Sequence, residues 1–548
     1  MVLLALFACI DRAAPRTAPD DHRRPPAADD SATRETGGDA VEATLTAGAT
    51  VTCADPGARD TLGAFEILDG GTQWQNQRVT SEFDGWGAAV ADYDGDGNPD
   101  IFLPHAGPDQ IYMGRGDGTW REEDRERLTA DPDDFGDGAI AVDYDGDADL
   151  DIWVSNTGPN ALYRNDDGVF TSVGVAAGLS GQNWESQDGA WGDMDGDGDL
   201  DLFVANYYME DRAEGQPDAN ELYENNGDGT FTDVSSRLQG FAARGYTHAT
   251  GWHDLDLDGD LDLIVVNDKP SGGYTTVVRL QVDGQLVDDG GVLGLNVSIE
   301  GMGVGVGDLN GDLFPDLAIS GWGQLALMES TESGRWVNAT QSVGLVLPAD
   351  GPRIVAWGME LADLDNDADL DLYAAFGEQL NIYGVQTEGE KNNNPAEQSD
   401  GLWVNDGGQF TEASSEWGVD ALGIHRGVAF TDLNRDGWLD LVERDLRGRA
   451  RILAGRCSDA AWVGFQLREG APNPFAVGAR VEVTAGGITQ VRTVSAGSTN
   501  LASSGAPEVQ FGLGGMEVID RVRVWWPDGA MSALRDVPVR EWATVTRE

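Results

Sequence analysis

The chain has 548 residues, of which 40% are hydrophobic, and it carries a net charge of −61 at pH 7. This charge excludes nucleic-acid binding through a basic surface, and the hydrophobic content excludes a disordered acidic chain. The length suits a large domain and a smaller one, and the 74 glycines suit many tight turns. The chain has 17 Trp but few long apolar helical patterns, which favours an all-β fold.

The first nine residues predict an export signal. Their apolar stretch, MVLLALFAC, is too short to span a bilayer, and its end resembles a bacterial lipobox with Cys9 as the acylated residue. Residues 10–59 lack hydrophobic periodicity and predict a disordered tether. The predicted location is therefore the cell surface or the secreted fraction, with membrane contact only through the lipid anchor.

An acidic nonapeptide recurs along the rest of the chain. Examples are DYDGDGNPD at 92–100 and DMDGDGDLD at 193–201. The seven copies begin at residues 92, 143, 193, 254, 308, 363 and 432. A strand of small apolar residues precedes each copy and an apolar run follows it, and several units add two further strands around a glycine turn. Each unit is therefore expected to contain four short strands.

Units of this kind predict an all-β fold, in which a seven-bladed β-propeller over residues 60–457 is followed by a small β domain over 458–548. A solenoid of stacked repeats is the competing architecture. The last unit lacks a fourth strand, whereas GAFEIL at 63–68 has the pattern of one. The propeller is favoured because this N-terminal strand can complete the last unit and close the ring.

The nonapeptide has the form D-x-[DN]-x-D-x-x-x-D, which supplies oxygen ligands at positions 1, 3, 5 and 9 and a backbone carbonyl at position 7. Calcium accepts six to eight such oxygens, whereas zinc and copper prefer Cys or His, which are not interleaved here. Strands rather than helices flank each copy, so the sites are not EF-hands. The sequence predicts up to seven Ca²⁺ sites. Their ligand positions are Asp92, Asp94, Asp96, Asn98 and Asp100; Asp143, Asp145, Asp147, Asp149 and Asp151; Asp193, Asp195, Asp197, Asp199 and Asp201; Asp254, Asp256, Asp258, Asp260 and Asp262; Asp308, Asn310, Asp312, Phe314 and Asp316; Asp363, Asp365, Asp367, Asp369 and Asp371; Asp432, Asn434, Asp436, Trp438 and Asp440.

The copies differ at position 6, where a tight loop often needs a positive φ. Four copies have glycine there, two have alanine and the copy at 308 has Leu313. That copy also has Asn310 and only three acidic residues, so it is predicted to be the weakest site.

Two stretches resemble known families. WGxxxxDYDGDG followed by an apolar strand resembles the FG-GAP/VCBS repeats, as in the propeller of integrin α subunits, which implies ions that brace the blades. AVGARVEVTAGG, EVQFGLGG and VRVWWPDG, within residues 476–529, resemble the ASPIC/UnbV domain. Together they are similar to the cartilage acidic protein-like family, which implies a secreted or surface-exposed, calcium-binding protein.

No GxSxG, HExxH, P-loop or Cys/His nucleophile pattern is present in the sequence. His248, His253 and His425 fall on or beside inner strands and are expected to be structural. The predicted function is therefore an exported calcium-binding scaffold for extracellular protein or matrix adhesion, and not an enzyme. A carbohydrate-binding module or a polysaccharide-acting enzyme is the alternative, so the partner is an extracellular protein or a glycan.

Loops between the second and third strands are expected on the face opposite the ions. Two of them are long, at 207–220 and 384–401. Tyr207, Tyr208 and Trp322 are predicted to be exposed partner-binding anchors. In the C-terminal domain, Phe511, Trp525 and Trp526 could form a ligand platform, although core or interface packing is favoured.

Closure of the ring has a consequence for two cysteines. Cys53 precedes the closing strand and Cys457 follows the strand beside which it pairs. The sequence therefore predicts a disulfide between them in an oxidising compartment.

Overall fold

The computed structural model describes residues 41–48, 66–67, 85–105, 109–116, 119–122, 136–179, 184–207, 217–269, 275–282, 285–287, 290–331, 333–347, 354–378, 397–446, 450–455, 458–497 and 501–548. Strands dominate these residues, which confirms the all-β prediction. The helices are single turns, α1 (Gly174–Ala177), α2 (Gly240–Ala243), α3 (Gly290–Leu293) and α4 (Ser414–Trp417), with a 3₁₀ turn at Ser235–Arg237. Within the described residues, no helix is long and apolar enough to cross a membrane.

Two short strands, β1 (Ala43–Ala47) and β2 (Glu66–Ile67), precede seven antiparallel units, which we number in chain order. Unit 1 contains β3 (Ala89–Ala91), β4 (Asp100–Leu103), β5 (Gln110–Gly114) and β6 (Trp120–Glu122); unit 2 contains β7 (Gly136–Val142), β8 (Asp151–Gly158), β9 (Ala161–Asp166) and β10 (Val169–Ser172); unit 3 contains β11 (Trp184–Gly192), β12 (Asp201–Asn206), β13 (Glu221–Asn225) and β14 (Phe231–Asp233); unit 4 contains β15 (Tyr246–His253), β16 (Asp262–Asp268), β17 (Val277–Val282) and β18 (Gln285–Val287).

The remaining units follow the same order. Unit 5 contains β19 (Gly301–Gly307), β20 (Asp316–Gly321), β21 (Gln324–Thr331) and β22 (Arg335–Asn338); unit 6 contains β23 (Ala356–Ala362), β24 (Asp371–Phe376), β26 (Gly401–Asp406) and β27 (Gln409–Glu412), with the short pair β25 (Gln398–Ser399) and β28 (Leu422–Gly423) beside it; unit 7 contains β29 (His425–Thr431), β30 (Asp440–Asp445) and β31 (Arg451–Ala454) together with β2.

The units are arranged as a ring around their first strands. Each first strand, from β3 to β29, contacts the first strand of the next unit, and β29 contacts β3. Small residues are required there because neighbouring backbones approach closely: a Cβ at Gly358 would lie 2.4 Å from the carbonyl oxygen of Arg426 in the adjacent unit. The small-residue strands of the sequence are thus the inner strands of a propeller.

The N-terminal strand β2 completes unit 7, as predicted. Glu66 lies opposite Ala454 and Ile67 lies opposite Leu453 in an antiparallel pair. The Arg444 side chain links unit 7 to unit 1, since it donates hydrogen bonds to the carbonyl oxygens of Gly85 at 3.1 Å and Pro104 at 3.2 Å. The ring is therefore closed by an early segment of the chain, which leaves the outer edge of unit 7 covered.

The C-terminal domain consists of two four-stranded sheets, β1-β38-β32-β35 and β34-β33-β36-β37. Its strands are β32 (Ala461–Arg468), β33 (Arg480–Ala485), β34 (Ile488–Thr493), β35 (Val509–Gly514), β36 (Arg521–Trp525), β37 (Met531–Leu534) and β38 (Trp542–Arg547). Phe511 and Trp526 lie in the core between the sheets, as favoured from the sequence. Trp525 is half-buried beside Arg480 and Arg523.

One prediction about the N-terminal segment is wrong. The sequence places residues 10–59 in a tether, but Ala43–Ala47 is a strand paired with Thr544, Val545 and their neighbours in β38. The reason is a period-two pattern in a polar stretch, which directs Val41, Ala43 and Leu45 onto the C-terminal core. The C-terminal domain therefore includes residues from both ends of the chain.

A segment of the C-terminal domain fills the centre of the ring. Ser504 donates its N–H to the carbonyl oxygen of Ala88 at 2.9 Å and accepts the N–H of Val90 at 2.9 Å, so it pairs with the inner strand of unit 1. Ala502 accepts the N–H of Ala139 in unit 2 at 3.1 Å, and Leu501 is fully buried. The domain is thus anchored in the propeller through backbone hydrogen bonds.

Candidate cation-binding loops

The seven acidic nonapeptides form loops between the first and second strands of their units, and we call them loops 1–7. Position 6 has a positive φ in all of them, as expected, including Ala148, Leu313 and Ala368. Position 4 also has a positive φ in every loop, although Leu257, Asn366 and Arg435 occupy it in loops 4, 6 and 7. All seven loops therefore share one tight backbone, and non-glycine residues are strained at these positions.

The carboxylate at position 1 organises each loop from inside. In loop 3, Asp193 accepts the N–H of Gly196 at 2.7 Å through Oδ1 and the N–H of Gly198 at 2.9 Å through Oδ2. The carboxylate at position 5 accepts the N–H of position 7, as Asp197 does from Asp199 at 3.0 Å. These bonds hold the loop backbone in its tight turn.

Position 9 has a role that sequence reasoning missed. Asp201 accepts the N–H of Met194 at 2.8 Å with one oxygen and the N–H of Asn225 at 2.8 Å with the other. The equivalent pairs of bonds occur in all seven loops, through Asp100, Asp151, Asp201, Asp262, Asp316, Asp371 and Asp440. Position 9 is thus a buried lock between the loop and the third strand.

Position 7 side chains point away from the loop centre in two loops. Asp149 accepts the N–H of Asp167 at 2.9 Å, and Asp369 accepts the N–H of Gly407 at 2.8 Å. Each bond ties the loop to the turn between the third and fourth strands. The use of the position 7 carbonyl as a ligand stays a prediction.

Several loops bring three carboxylates together. Oxygens of Asp92, Asp94 and Asp96 lie within 4.8 Å of one another, and equivalent groups occur at Asp143/Asp145/Asp151, Asp193/Asp195/Asp197 and Asp254/Asp256/Asp262. In loop 6, Asp365 Oδ1 is buried with no hydrogen-bond donor among the described residues. A hard divalent cation fits such oxygen sets, since it accepts the lone pairs that the backbone leaves unused.

The electrostatics of the metal-free loops are unfavourable. Burial, opposed by the backbone hydrogen bonds, raises the pKa of Asp201 to about 8, and burial raises the pKa of Asp143 to about 7. Burial, with Asp256 and Asp258 adding to it, raises the pKa of Asp254 to about 7. The ionised loops therefore cost free energy unless positive charge is supplied from outside.

The C-terminal domain covers the face of the ring where loops 4–7 converge. It encloses a cavity of about 250 Å³, lined by Asp254, Asp308, Asp363, Asp432, Arg480 and Arg492 among others. Gly512 donates its N–H to Asp363 Oδ2 at 3.1 Å, and Trp542 donates its Nε1–H to Asp432 Oδ2 at 2.7 Å. A Cβ at Gly512 would lie 2.2 Å from Asp363 Oδ2, so the FGLG stretch meets loop 6 through a residue that must lack a side chain.

A second cluster of titratable groups lies between units 6 and 7. His425 Nδ1 is 2.7 Å from Asp400 Oδ2, and Arg451 Nη1 is 2.9 Å from Asp400 and 2.6 Å from Glu443. Burial lowers the pKa of His425, but Asp400 and Glu443 outweigh it and raise the value to about 9. Because Arg451 already bridges both carboxylates, the cluster is a buried ion network.

Only part of the predicted partner site is exposed. Tyr207 is buried: its ring stacks on His248 with centroids 4.3 Å apart, and its hydroxyl donates to Asp268 Oδ2 at 2.9 Å. The prediction for Tyr207 is therefore wrong, because the aromatic ring at the end of β12 packs over the inner strand of unit 4. Trp322 is 38% exposed in the turn after β20, as expected.

Other predicted residues lie outside the described residues. These are Cys9, Cys53, Tyr208 and Cys457, together with 384–396 of the long loop in unit 6. Lipidation and the disulfide remain predictions.

Two family models match the chain. The one described as FG-GAP-like repeat matches residues 92–154, 143–204, 210–265, 254–319 and 308–374, which together span more than half of the chain. The one described as ASPIC and UnbV matches residues 469–548. No curated protein matches the chain in sequence.

Similarity to solved structures is weak. A lectin from Agrocybe aegerita, described for specific recognition of non-reducing terminal N-acetylglucosamine, is 18% identical with a TM-score of 0.37, and the match covers 60% of this chain and 79% of the lectin. The rhamnogalacturonan lyase YesW is 15% identical with a TM-score of 0.37, and the match covers 69% of this chain and 73% of the lyase. At this level of similarity, neither match bears on ligand or activity.

Proposed function

We propose that this chain, which belongs to the FG-GAP-like repeat family and ends in an ASPIC and UnbV domain, is an exported binding scaffold whose propeller is braced by calcium. The observation that carries the proposal is the shared geometry of the acidic loops. Their backbones are locked by positions 1 and 9, while carboxylates such as Asp193, Asp195 and Asp197 face one another within 4.8 Å.

Calcium would supply the positive charge that these loops lack. In loop 3, Asp193, Asp195, Asp197 and the carbonyl of Asp199 would hold the ion, and Asp201 would keep the loop attached to strand β13. The ion would convert carboxylate repulsion into attraction in each loop it fills. Such a role is structural, so we expect the protein to bind its partner without catalysis.

The proposed partner surface is the face of the ring opposite the acidic loops. The C-terminal domain already covers the side of loops 4–7, whereas Trp322 lies exposed at the other end of its unit. A large aromatic side chain on a rigid turn is a suitable anchor for an extracellular protein. The loop at 384–401 belongs to the same type of connection and is proposed as part of this surface.

Carbohydrate binding is the second candidate. A cleft of about 1000 Å³ separates loops 3–5 from the C-terminal domain, and the half-buried Trp525 forms part of its wall. An indole beside oxygen-rich loops is suited to a sugar ring whose hydroxyls reach bound calcium. This candidate places the ligand on the face of the acidic loops and makes binding calcium-dependent.

The two candidates are separated by binding experiments on residues 41–548, which keep strand β1. A glycan array and a panel of extracellular matrix proteins are probed in millimolar calcium and in EDTA with the unsubstituted chain, Trp322→Ala and Trp525→Ala. Loss of matrix-protein binding in Trp322→Ala alone supports the scaffold proposal. Glycan binding that is lost in EDTA and in Trp525→Ala favours the carbohydrate module, and product release from a polysaccharide would contradict both.

A further inference from the structure

We propose that loop 7, residues 432–440, is a docking receptor for the C-terminal domain and holds no calcium. In this loop the indole N–H of Trp542 and the guanidinium of Arg435 supply the positive charge that a calcium ion would supply in the other loops. The inference depends on the proposed calcium binding by the other loops, and it lowers the expected number of ions below the seven that the sequence predicts.

The first step concerns the carboxylate at position 1. In loops 1–5, the described donors to this group all belong to the same loop. In loop 7, Asp432 Oδ2 accepts the N–H of Gly437 at 2.7 Å and also the indole N–H of Trp542 at 2.7 Å, while Oδ1 accepts the N–H of Asp436 at 2.9 Å. Asp432 thus accepts three N–H groups, as Asp193 does in loop 3, but one of the three comes from the C-terminal domain, which ties this carboxylate to the domain.

The second step concerns the charge inside the loop. Arg435 occupies position 4, and its Nη1 lies 2.7 Å from Glu508 Oε1 of the C-terminal domain, with the two side chains 15% and 8% exposed. The guanidinium also lies over the Trp542 ring, 4.8 Å from the centroid. A fixed positive charge that interacts with Asp432 reduces the attraction of the loop for a cation.

The third step concerns access. Trp462 packs on Gly437 so closely that a Cβ there would lie 1.7 Å from the indole, and the Gly437 carbonyl accepts Gln510 Nε2–H at 2.6 Å. Among residues 432–440 none is exposed, whereas Asp195 and Asp197 of loop 3 are. Loop 7 is thus less accessible to a hydrated ion than loop 3 is.

Loop 6 shows that contact with the C-terminal domain alone does not replace an ion. Asp363 accepts one N–H from Gly512, but Asp365 Oδ1 remains buried without a donor among the described residues, and Asp367 is exposed. Loop 6 also has five acidic residues and no basic residue within the nonapeptide, so it keeps the features of a cation site. The assignment is therefore specific to loop 7.

The test counts calcium bound per full-length chain, by equilibrium dialysis and metal analysis at the lowest free calcium that saturates the unsubstituted protein. Position 5 is changed to asparagine in three loops, as Asp147→Asn, Asp197→Asn and Asp436→Asn. Asparagine keeps the oxygen that accepts the position 7 N–H in each loop, so the loop backbones are preserved. The matched pair Asp195→Ala and Asn434→Ala repeats the comparison at position 3.

We expect the count to fall by one ion in Asp147→Asn, Asp197→Asn and Asp195→Ala, and to stay unchanged in Asp436→Asn and Asn434→Ala. A count that falls by one in either loop 7 variant would overturn the assignment while leaving the calcium-braced scaffold intact. An unsubstituted chain that binds no calcium would instead contradict the proposed function itself.

Discussion

Loops 3 and 7 have the same backbone and opposite surroundings. Asp201 and Asp440 hold their loops through equivalent pairs of N–H groups, at 2.8 and 2.8 Å in loop 3 and at 3.0 and 2.7 Å in loop 7. Loop 3 exposes Asp195 and Asp197 to solvent, whereas loop 7 is covered by the C-terminal domain and contains Arg435. The nonapeptide therefore encodes the shape of the loop, and the neighbouring residues determine what neutralises it.

The largest effect is expected where the two loops are alike. Asp201→Ala and Asp440→Ala each leave two buried backbone N–H groups without an acceptor, at about 1–3 kcal/mol per group, so each should lower the free energy of unfolding by about 4 kcal/mol. Urea denaturation measures this. The asparagine variants retain one acceptor and should lose about half as much. A loss below about 1 kcal/mol in either alanine variant would contradict the lock.

The next effect concerns loops that differ in acidic content. Asp197→Ala should remove one calcium site. At a calcium concentration a hundredfold above Kd, the loss of one site lowers the free energy of unfolding by about 2.7 kcal/mol. Asp312→Ala should cost less, because loop 5 has only three acidic residues and is the weakest predicted site. Thermal unfolding in millimolar calcium compares the two variants. An equal or larger loss in Asp312→Ala would contradict this ranking.

A smaller effect is expected at the contact that distinguishes loop 7. Trp542→Phe keeps most of the ring packing and removes the N–H donated to Asp432, and a hydrogen bond to a charged group contributes about 2 kcal/mol. Trp525→Phe is the control, since Trp525 contacts Arg480 and Arg523 through its ring. Urea denaturation should show the larger loss for Trp542→Phe, and the reverse order would contradict the docking contact.

The smallest effect is a pH trend in the metal-free protein. Burial raises the pKa of Asp100 and Asp201 to about 8, well above the ordinary value of 3.8. Between pH 3.8 and pH 8 the folded state therefore binds more protons than the unfolded chain does. The stability that these two groups contribute is present at low pH and is lost as the pH rises through 8. In EDTA, Tm should therefore rise by a few degrees between pH 8 and pH 5. In calcium the trend should disappear, because bound ions keep the carboxylates ionised.

The repeated pattern was sufficient to predict the propeller, the completion of unit 7 by an N-terminal strand, of which Glu66–Ile67 are described, and the positive φ at position 6. It could not predict the positive φ of Leu257 and Arg435, because only glycine signals that conformation in a sequence. The pattern also did not predict that position 9 holds the loop to the third strand. An aspartate is equally suited to bind an ion and to accept backbone N–H groups, so its presence in the sequence does not distinguish the two roles.

The missed features depend on contacts between distant segments. Tyr207 was predicted to be exposed, but it packs on His248 from the next unit, which only the ring geometry brings near. The position of the C-terminal domain on the acidic loops was also missed. Its one sequence signal is Gly512 in the FGLG stretch, which meets Asp363 too closely for any side chain. Strand β1 was also missed, because its short alternation of Ala and Leu with Thr lies within a polar stretch.

The central claim is that calcium stabilises the propeller through the acidic loops. The most direct test is the thermal unfolding of the full-length chain in EDTA and in millimolar calcium at pH 7, followed by calorimetry. Each filled site contributes about 4 kcal/mol at calcium a thousandfold above Kd, so several sites should raise Tm by more than about 10 °C. The account predicts this increase, with recovery after EDTA when calcium is restored. The same Tm in EDTA and in calcium would contradict it.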